Sequence, residues 1–147
     1  MTWYGLVRYQ VFFLIDLKTR RAPGSGEVGE EPEGIALADD GETLWVSARG
    51  SNAAFMLDPE TLAIRQRIEI GAFPLRIVVR PQGDYAVTSD LADGGLSVID
   101  TATGDLVRSI AVSSPAEVEA RTQVTILFSP DGERIYVAET TANTIAE

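Results

Sequence analysis

Residues 35–47 read IALADDGETLWVS, which is an apolar run, a turn centred on Gly41 and a second apolar run that contains Trp45. The same arrangement returns as IVVRPQGDYAVTS at residues 77–89 and as ILFSPDGERIYVA at residues 126–138. Successive turn glycines are therefore separated by 42 and then by 49 residues. Because glycine readily takes the positive φ of a tight hairpin, each stretch predicts two antiparallel strands joined by a short turn.

Other positions keep the same spacing. Asp16, Asp58 and Asp100 stand 42 residues apart, and a threonine follows each of them by three residues. An aspartate side chain can accept hydrogen bonds from the backbone N–H groups just beyond it, so we expect turns at these points. Each turn would join a third strand, such as 53–57, to a fourth, such as 64–70. A period near forty residues, made of four short strands, is typical of the blades of a β-propeller.

The repeat predicts one all-β domain over residues 1–147, a partial β-propeller of four-stranded antiparallel blades. The expected units are a partial blade at 1–29, complete blades at 30–71 and 72–113, and a partial blade with a loop insertion at 114–147. Trp3 stands 42 residues before Trp45, so the chain would begin inside a second strand. At the other end, we expect Glu147 to arrive before a third strand can form.

Composition excludes several classes of function. The chain carries 12 basic and 22 acidic residues, for a net charge of −10, and many of the acidic residues lie between positions 27 and 42. Such a surface repels phosphate backbones, so nucleic acid is not an expected partner. No apolar run approaches the length of a membrane span. The chain has no cysteine, which excludes disulfides and leaves the cellular compartment open.

No catalytic constellation is visible in the sequence. Histidine and cysteine are absent, so the chain offers no imidazole base, no imidazole ligand for zinc or haem and no thiolate nucleophile. Ser89, Asp90 and Asp93 could supply oxygen ligands to a hard cation, but they lack the regular spacing of a calcium loop and favour turn chemistry. We therefore predict no catalytic residue, no metal and no cofactor.

The candidate ligand-binding residues lie on loops. In a propeller, the loops that join a fourth strand to the next first strand share a face with the loops that join second to third strands. That face would hold the mouth of the channel, where a small molecule or a protein could dock. The candidates are Arg49, Phe73, Arg76, Asp90, Asp93 and Arg121. For Arg76 the alternatives are a solvent-facing side chain and an anion clamp, and for Phe73 they are packing between blades and recognition.

Several motifs resemble the Tyr-Val-Thr-Asn (YVTN) β-propeller repeat. They are LWVS at 44–47, IYVA at 135–138, VIDTATG at 98–104, and the Pro-Glu-Gly of residues 32–34 after Gly29. The chain departs from that pattern at 86–88, which lack the aromatic residue, and in seven extra residues around 115–123. The resemblance implies a ring of about six to eight blades with the first strands lining a channel. Its members include dehydrogenase subunits, lactonase-like enzymes and surface or adhesive proteins, many of them periplasmic or secreted.

Two functions therefore stay open. The first is a non-enzymatic interaction module, a segment of a larger propeller that binds a ligand or protein at the channel mouth. The second is a fragment of a propeller enzyme, lactonase-like or quinoprotein or amine-dehydrogenase-like, whose catalytic residues lie outside this chain. The two partial blades also suggest a homodimer that completes a ring of about six blades. A truncated gene product is the competing explanation, and we prefer it.

Overall fold

The computed structural model describes residues 10–92, 94–112, 123–139 and 144–146. Within them the strands form four antiparallel sheets that follow one another along the chain. The leading sheet contains β1 (Val11–Asp16) and β2 (Arg21–Glu27); blade A contains β3 (Pro32–Leu37), β4 (Leu44–Ala48), β5 (Ala53–Leu57) and β6 (Ile64–Glu69). Blade B contains β7 (Pro74–Val79), β8 (Tyr85–Asp90), β9 (Gly95–Asp100) and β10 (Leu106–Ala111); the trailing sheet contains β11 (Gln123–Phe128), β12 (Ile135–Glu139) and β13 (Thr144–Ala146). The protein is an all-β partial propeller, as the repeat predicted.

The trailing sheet corrects one expectation. The sequence predicted that no third strand would form before the chain ends, but β13 pairs with β12, with Val137 opposite Ala146 and Ala138 opposite Ile145. Three residues are enough to extend an antiparallel ladder by one short strand. The trailing sheet therefore has three strands, and the predicted two are wrong. The second strand expected around Trp3 lies outside the described residues.

The aspartate turns form as predicted. The Oδ1 atom of Asp58 accepts the backbone N–H groups of Glu60 at 3.0 Å and Thr61 at 2.8 Å. Asp16 and Asp100 accept the equivalent pairs of N–H groups at 2.8 to 3.0 Å. The Thr61 N–H, with the Arg65 guanidinium as the next contributor, holds the pKa of Asp58 well below its usual range. The repeated aspartate therefore closes the turn between third and fourth strands.

Trp45 fills the space between the two complete blades. It is fully buried and packs in one cluster with Ile77, Ala86 and Ile99 of blade B. The predicted place of Trp45 in the core between blades is confirmed, whereas Trp3 lies outside the described residues. Two further apolar clusters join the leading sheet to blade A and blade B to the trailing sheet. Successive sheets thus stack face to face through apolar side chains.

Apolar surface stays open at both ends of this stack. Ile77 and its counterpart one repeat earlier, Ile35, occupy equivalent strand positions, yet Ile77 is 3% exposed and Ile35 is 56% exposed. Leu37 is similarly exposed, and the two residues border a cavity of about 250 Å³ beside the leading sheet. On the trailing sheet, Leu127 is 63% exposed. These are the faces that a neighbouring blade covers elsewhere in the stack.

Candidate functional site

The loops at one end of the sheets are joined by backbone hydrogen bonds. The Arg49 N–H donates to the Glu31 carbonyl at 3.0 Å, which joins the loop after β4 to the loop before β3. One blade later, the Leu91 N–H donates to the Phe73 carbonyl at 3.0 Å in the same way. The two kinds of loop therefore share a face, as the sequence predicted. This face carries the candidate site.

Two residues that precede prolines on this face have a strained backbone. Glu31 has a φ of 55° and Phe73 a φ of 63°, the left-handed region that favours glycine. Each residue also precedes a proline, a position that normally holds an extended backbone. The two residues stand 42 apart, so the strain belongs to the repeat. Strained residues of this kind concentrate at binding and active sites, where the surrounding structure holds them in place.

Arg49 links the two strained residues. Its Nε atom donates to the Glu31 carboxylate at 2.9 Å. Its guanidinium lies over the ring of Phe73, with 5.1 Å between the guanidinium carbon and the ring centroid. A guanidinium at this distance from an aromatic face is attracted by the ring electrons. Arg49 therefore ties a loop of blade A to the loop that leads into blade B.

Glu33 connects Arg49 to Arg76. It lies where β3 bulges, between Pro32 and Gly34, and its two carboxylate oxygens face different arginines. One oxygen is 3.8 Å from Arg49 Nε and the other is 3.6 Å from Arg76 Nη1. The structure thus brings together three of the predicted site residues, Arg49, Phe73 and Arg76. We call Glu31, Glu33, Arg49 and Arg76 the arginine–glutamate cluster.

Asp90 does not line the open mouth. It is 2% exposed, and its carboxylate accepts hydrogen bonds from the hydroxyls of Thr88 at 2.8 Å and Ser97 at 2.5 Å. The Ser97 hydroxyl oxygen in turn accepts the Gly71 N–H at 3.1 Å. The expected exposed position of Asp90 is therefore corrected. Its position supports the segment that carries Phe73, because it anchors Ser97 beneath the start of that segment.

The candidate cation ligands are only partly within the described residues. Asp93 and Arg121 lie outside the described residues. Ser89, considered with Asp90 as an oxygen ligand, instead accepts the backbone N–H of Arg76 at 3.2 Å. Across the part of the chain that the structure describes, no group of three acidic residues is placed to hold a metal ion.

Sequence reasoning missed Glu31 and Glu33, which it treated only as members of an acidic stretch. The missed signal lies in the repeat: their counterparts 42 residues later are Phe73 and Leu75. A carboxylate in one blade and an apolar residue at the same position of the next cannot serve the same packing role. The cluster could therefore have been suspected from a comparison of the two blades.

Comparisons with known proteins support the fold. No family model matches the chain. An alignment over 97 positions is 31% identical to Antigen Lp49 of Leptospira interrogans, and it covers 56% of this chain and 21% of that protein. Hydrazine synthase from Kuenenia stuttgartiensis superposes with a TM-score of 0.79 and 25% identity over 87% of this chain and 35% of that one. Dihydro-heme d1 dehydrogenase NirN, in complex with DHE, superposes with a TM-score of 0.73 and 16% identity over 88% and 28%.

Both of these solved structures are β-propeller proteins. The chain spans about a fifth of the curated relative and about a third of the two solved chains. Within the described ranges, no helix is long and apolar enough to cross a membrane.

Proposed function

We propose that this chain is a segment of a larger β-propeller that binds a small molecule or a protein at the channel mouth. The observation that carries the proposal is the convergence of Arg49, Phe73 and Arg76 on one face of two adjacent blades. The side chains of Arg49 and Arg76 are 34% and 40% exposed, so solvent and a ligand can reach both. A pair of exposed guanidiniums beside an aromatic ring suits recognition by charge and contact.

We further propose that the repeats are of the YVTN type. The motifs at 44–47, 98–104 and 135–138 support this assignment, and they fall on strands β4, β9 and β12 and the turn after β9. The small share of each matched protein that the chain covers supports a longer ring of blades. In this view the chain is an interaction module, and a periplasmic or secreted location follows from the resemblance.

Loss of the two arginines is expected to remove ligand that the protein retains through purification. In the proposed site Arg49 and Arg76 hold the ligand by charge-assisted hydrogen bonds, so a double Arg49→Gln, Arg76→Gln variant should lose it. Native mass spectrometry of wild type and variant measures the retained mass. Arg108→Gln, on the exposed outer strand β10, is the matched control and should keep it. A retained mass that is unchanged in the double variant would contradict the proposal.

A second function is supported by one comparison. The 25% identity to hydrazine synthase extends over most of the chain, and the name of that protein is an enzyme's. In this alternative the chain belongs to a propeller enzyme, and catalytic residues outside the chain act at the mouth that Arg49 and Arg76 border. Hydrolysis of any lactone in a test panel by this polypeptide alone would contradict both the binding module and this alternative, because neither places a catalytic residue within the chain.

A second copy of the chain is a proposed partner. Trp45 packs against Ile77, whereas the equivalent face that contains Ile35 and Leu37 is exposed. Tyr136 of the trailing sheet occupies the position that corresponds to Trp45 and can cover that face in a second copy. Two copies would complete a ring of about six blades if β12 of one pairs with β1 of the other. That pairing displaces β13, which lies along the same edge of β12.

If two copies assemble in this way, multi-angle light scattering detects a dimer, and Leu37→Asp should convert it to a monomer because a charge cannot be buried unpaired in an apolar interface. Val107→Asp, on the exposed outer strand β10, is the matched control and should leave the dimer intact. A wild-type protein that is monomeric at every concentration would rule out self-assembly.

A further inference from the structure

The arginine–glutamate cluster is built from positions at which the two complete blades differ. Positions that both blades share explain the fold: Ser47 and Ser89 each accept the N–H of the residue that follows a bulge in the first strand. The cluster residues have unlike counterparts in the other blade: Phe73 for Glu31, Leu75 for Glu33, Leu91 for Arg49 and Gly34 for Arg76. Packing common to all blades therefore does not account for them. A role particular to the junction between blade A and blade B accounts for them.

Within this cluster Glu33 neutralises two arginines without hydrogen-bonding to either. Its oxygens lie 3.6 and 3.8 Å from the guanidinium nitrogens, beyond the usual distance of a charge-assisted hydrogen bond. The hydrogen bond that the Arg76 guanidinium makes within the described residues is a long one of 3.3 Å, from Nη1 to the Leu75 carbonyl. Arg76 therefore keeps most of its five donors for another acceptor.

We propose that the site takes a ligand carboxylate, which displaces the Glu33 side chain and binds between the guanidiniums of Arg49 and Arg76. This inference rests on the proposed function and names the chemical group that the mouth recognises. Glu33 occupies the place of that group in the free protein. Planar guanidiniums bind planar carboxylates through two parallel hydrogen bonds, which Glu33 does not make here. The ring of Phe73 holds one guanidinium in position from below.

The charge around the site favours a carboxylate over a phosphate. Exchange of one carboxylate for another leaves the charge between the two arginines unchanged. A phosphate dianion would add a further negative charge beside Glu31, which already pairs with Arg49. The chain as a whole carries a net charge of −10, which further disfavours a multiply charged anion.

The test is an NMR titration of the whole chain with N-acetylglycine, a monocarboxylate, and with its neutral amide. We expect saturable shifts of the Glu31, Phe73 and Arg76 amide signals with the acid and none with the amide. Glu33→Gln removes the internal competitor and should tighten binding by up to about fivefold, the upper end of the range of an exposed ion pair. Arg76→Gln should abolish the saturable shifts. Glu60→Gln, an exposed glutamate in the turn after β5, should bind as wild type does.

Two capped peptides identify the source of the carboxylate. One peptide contains a single glutamate, and the other has a glutamine at that position and is otherwise identical. Tighter binding of the glutamate peptide than of N-acetylglycine indicates a protein partner, and the reverse indicates a small acid; both results support the inference. Equal or weaker binding of the acid by Glu33→Gln overturns it, as does equal binding of acid and amide. In that case the proposed function still holds if native mass spectrometry shows a retained ligand that the double Arg49→Gln, Arg76→Gln variant loses.

Discussion

Gly34→Ala is expected to destabilise the protein by about 3 kcal/mol, at the upper end of what overpacking costs. The first strands of the two complete blades approach each other closely at Gly34. A Cβ atom added there would lie 2.8 Å from the backbone nitrogen of Ile77 and 2.9 Å from the Cα of Arg76. Backbone atoms in a paired strand cannot move aside without loss of the ladder, so the two blades must separate.

Urea unfolding followed by tryptophan fluorescence measures the effect. Gly24→Ala is the matched control, because its added Cβ would meet only the Leu62 Cδ1 atom at 3.5 Å, an ordinary contact. The control should unfold within about 1 kcal/mol of wild type. Equal stability of the two variants would show that β3 and β7 are not in close contact. Because Arg76 stands opposite Gly34, the substitution should also disturb the pairing of Arg76 with Glu33.

Trp45→Ala is expected to cost about 4 kcal/mol, the usual penalty for truncation of a buried tryptophan. Trp45 is fully buried and contacts residues of both complete blades, so its loss leaves a cavity in the interface between them. Ile77 of blade B would then face the cavity. The collapse of neighbouring strands into this space is limited, because each is held by the hydrogen-bond ladder of its own sheet.

Chemical denaturation followed by far-UV circular dichroism measures this effect, because the substitution removes the fluorescence of Trp45. Leu127→Ala is the matched control, since Leu127 is 63% exposed on the outer face of the trailing sheet. We expect the control to stay within about 0.5 kcal/mol of wild type. A loss of less than about 1 kcal/mol for Trp45→Ala would contradict an apolar interface between stacked blades.

The candidate site was only partly predictable. Arg49 and Phe73 were found because loop positions follow from strand order, and strand order follows from the repeat. Arg76, also predicted on a loop, lies instead on strand β7. Asp90 was placed at the channel mouth, yet it is buried. The pairing of β8 with β9 brings the Ser97 hydroxyl within reach of its carboxylate, and Thr88 of its own strand supplies a second donor. A carboxylate is placed by its partners as much as by its own position in the chain.

Short-range chemistry determined the architecture from the sequence alone. Gly41 and its repeats mark the hairpins, Asp58 and its repeats close the turns, and the 42-residue step places Trp45 between blades. The glycines and aspartates act within one hairpin or one turn, so their residue types and spacing are sufficient to predict the strands and turns.

The tertiary structure alone decided which charges meet. Glu33 and Arg76 are 43 residues apart in the chain, and the stacking of one first strand beside the next brings their side chains within 3.6 Å. The third strand of the trailing sheet and the burial of Asp90 were decided by strand pairing within one sheet. Contacts between sheets depend on the distance and rotation between blades, and neither quantity is encoded in any single local motif.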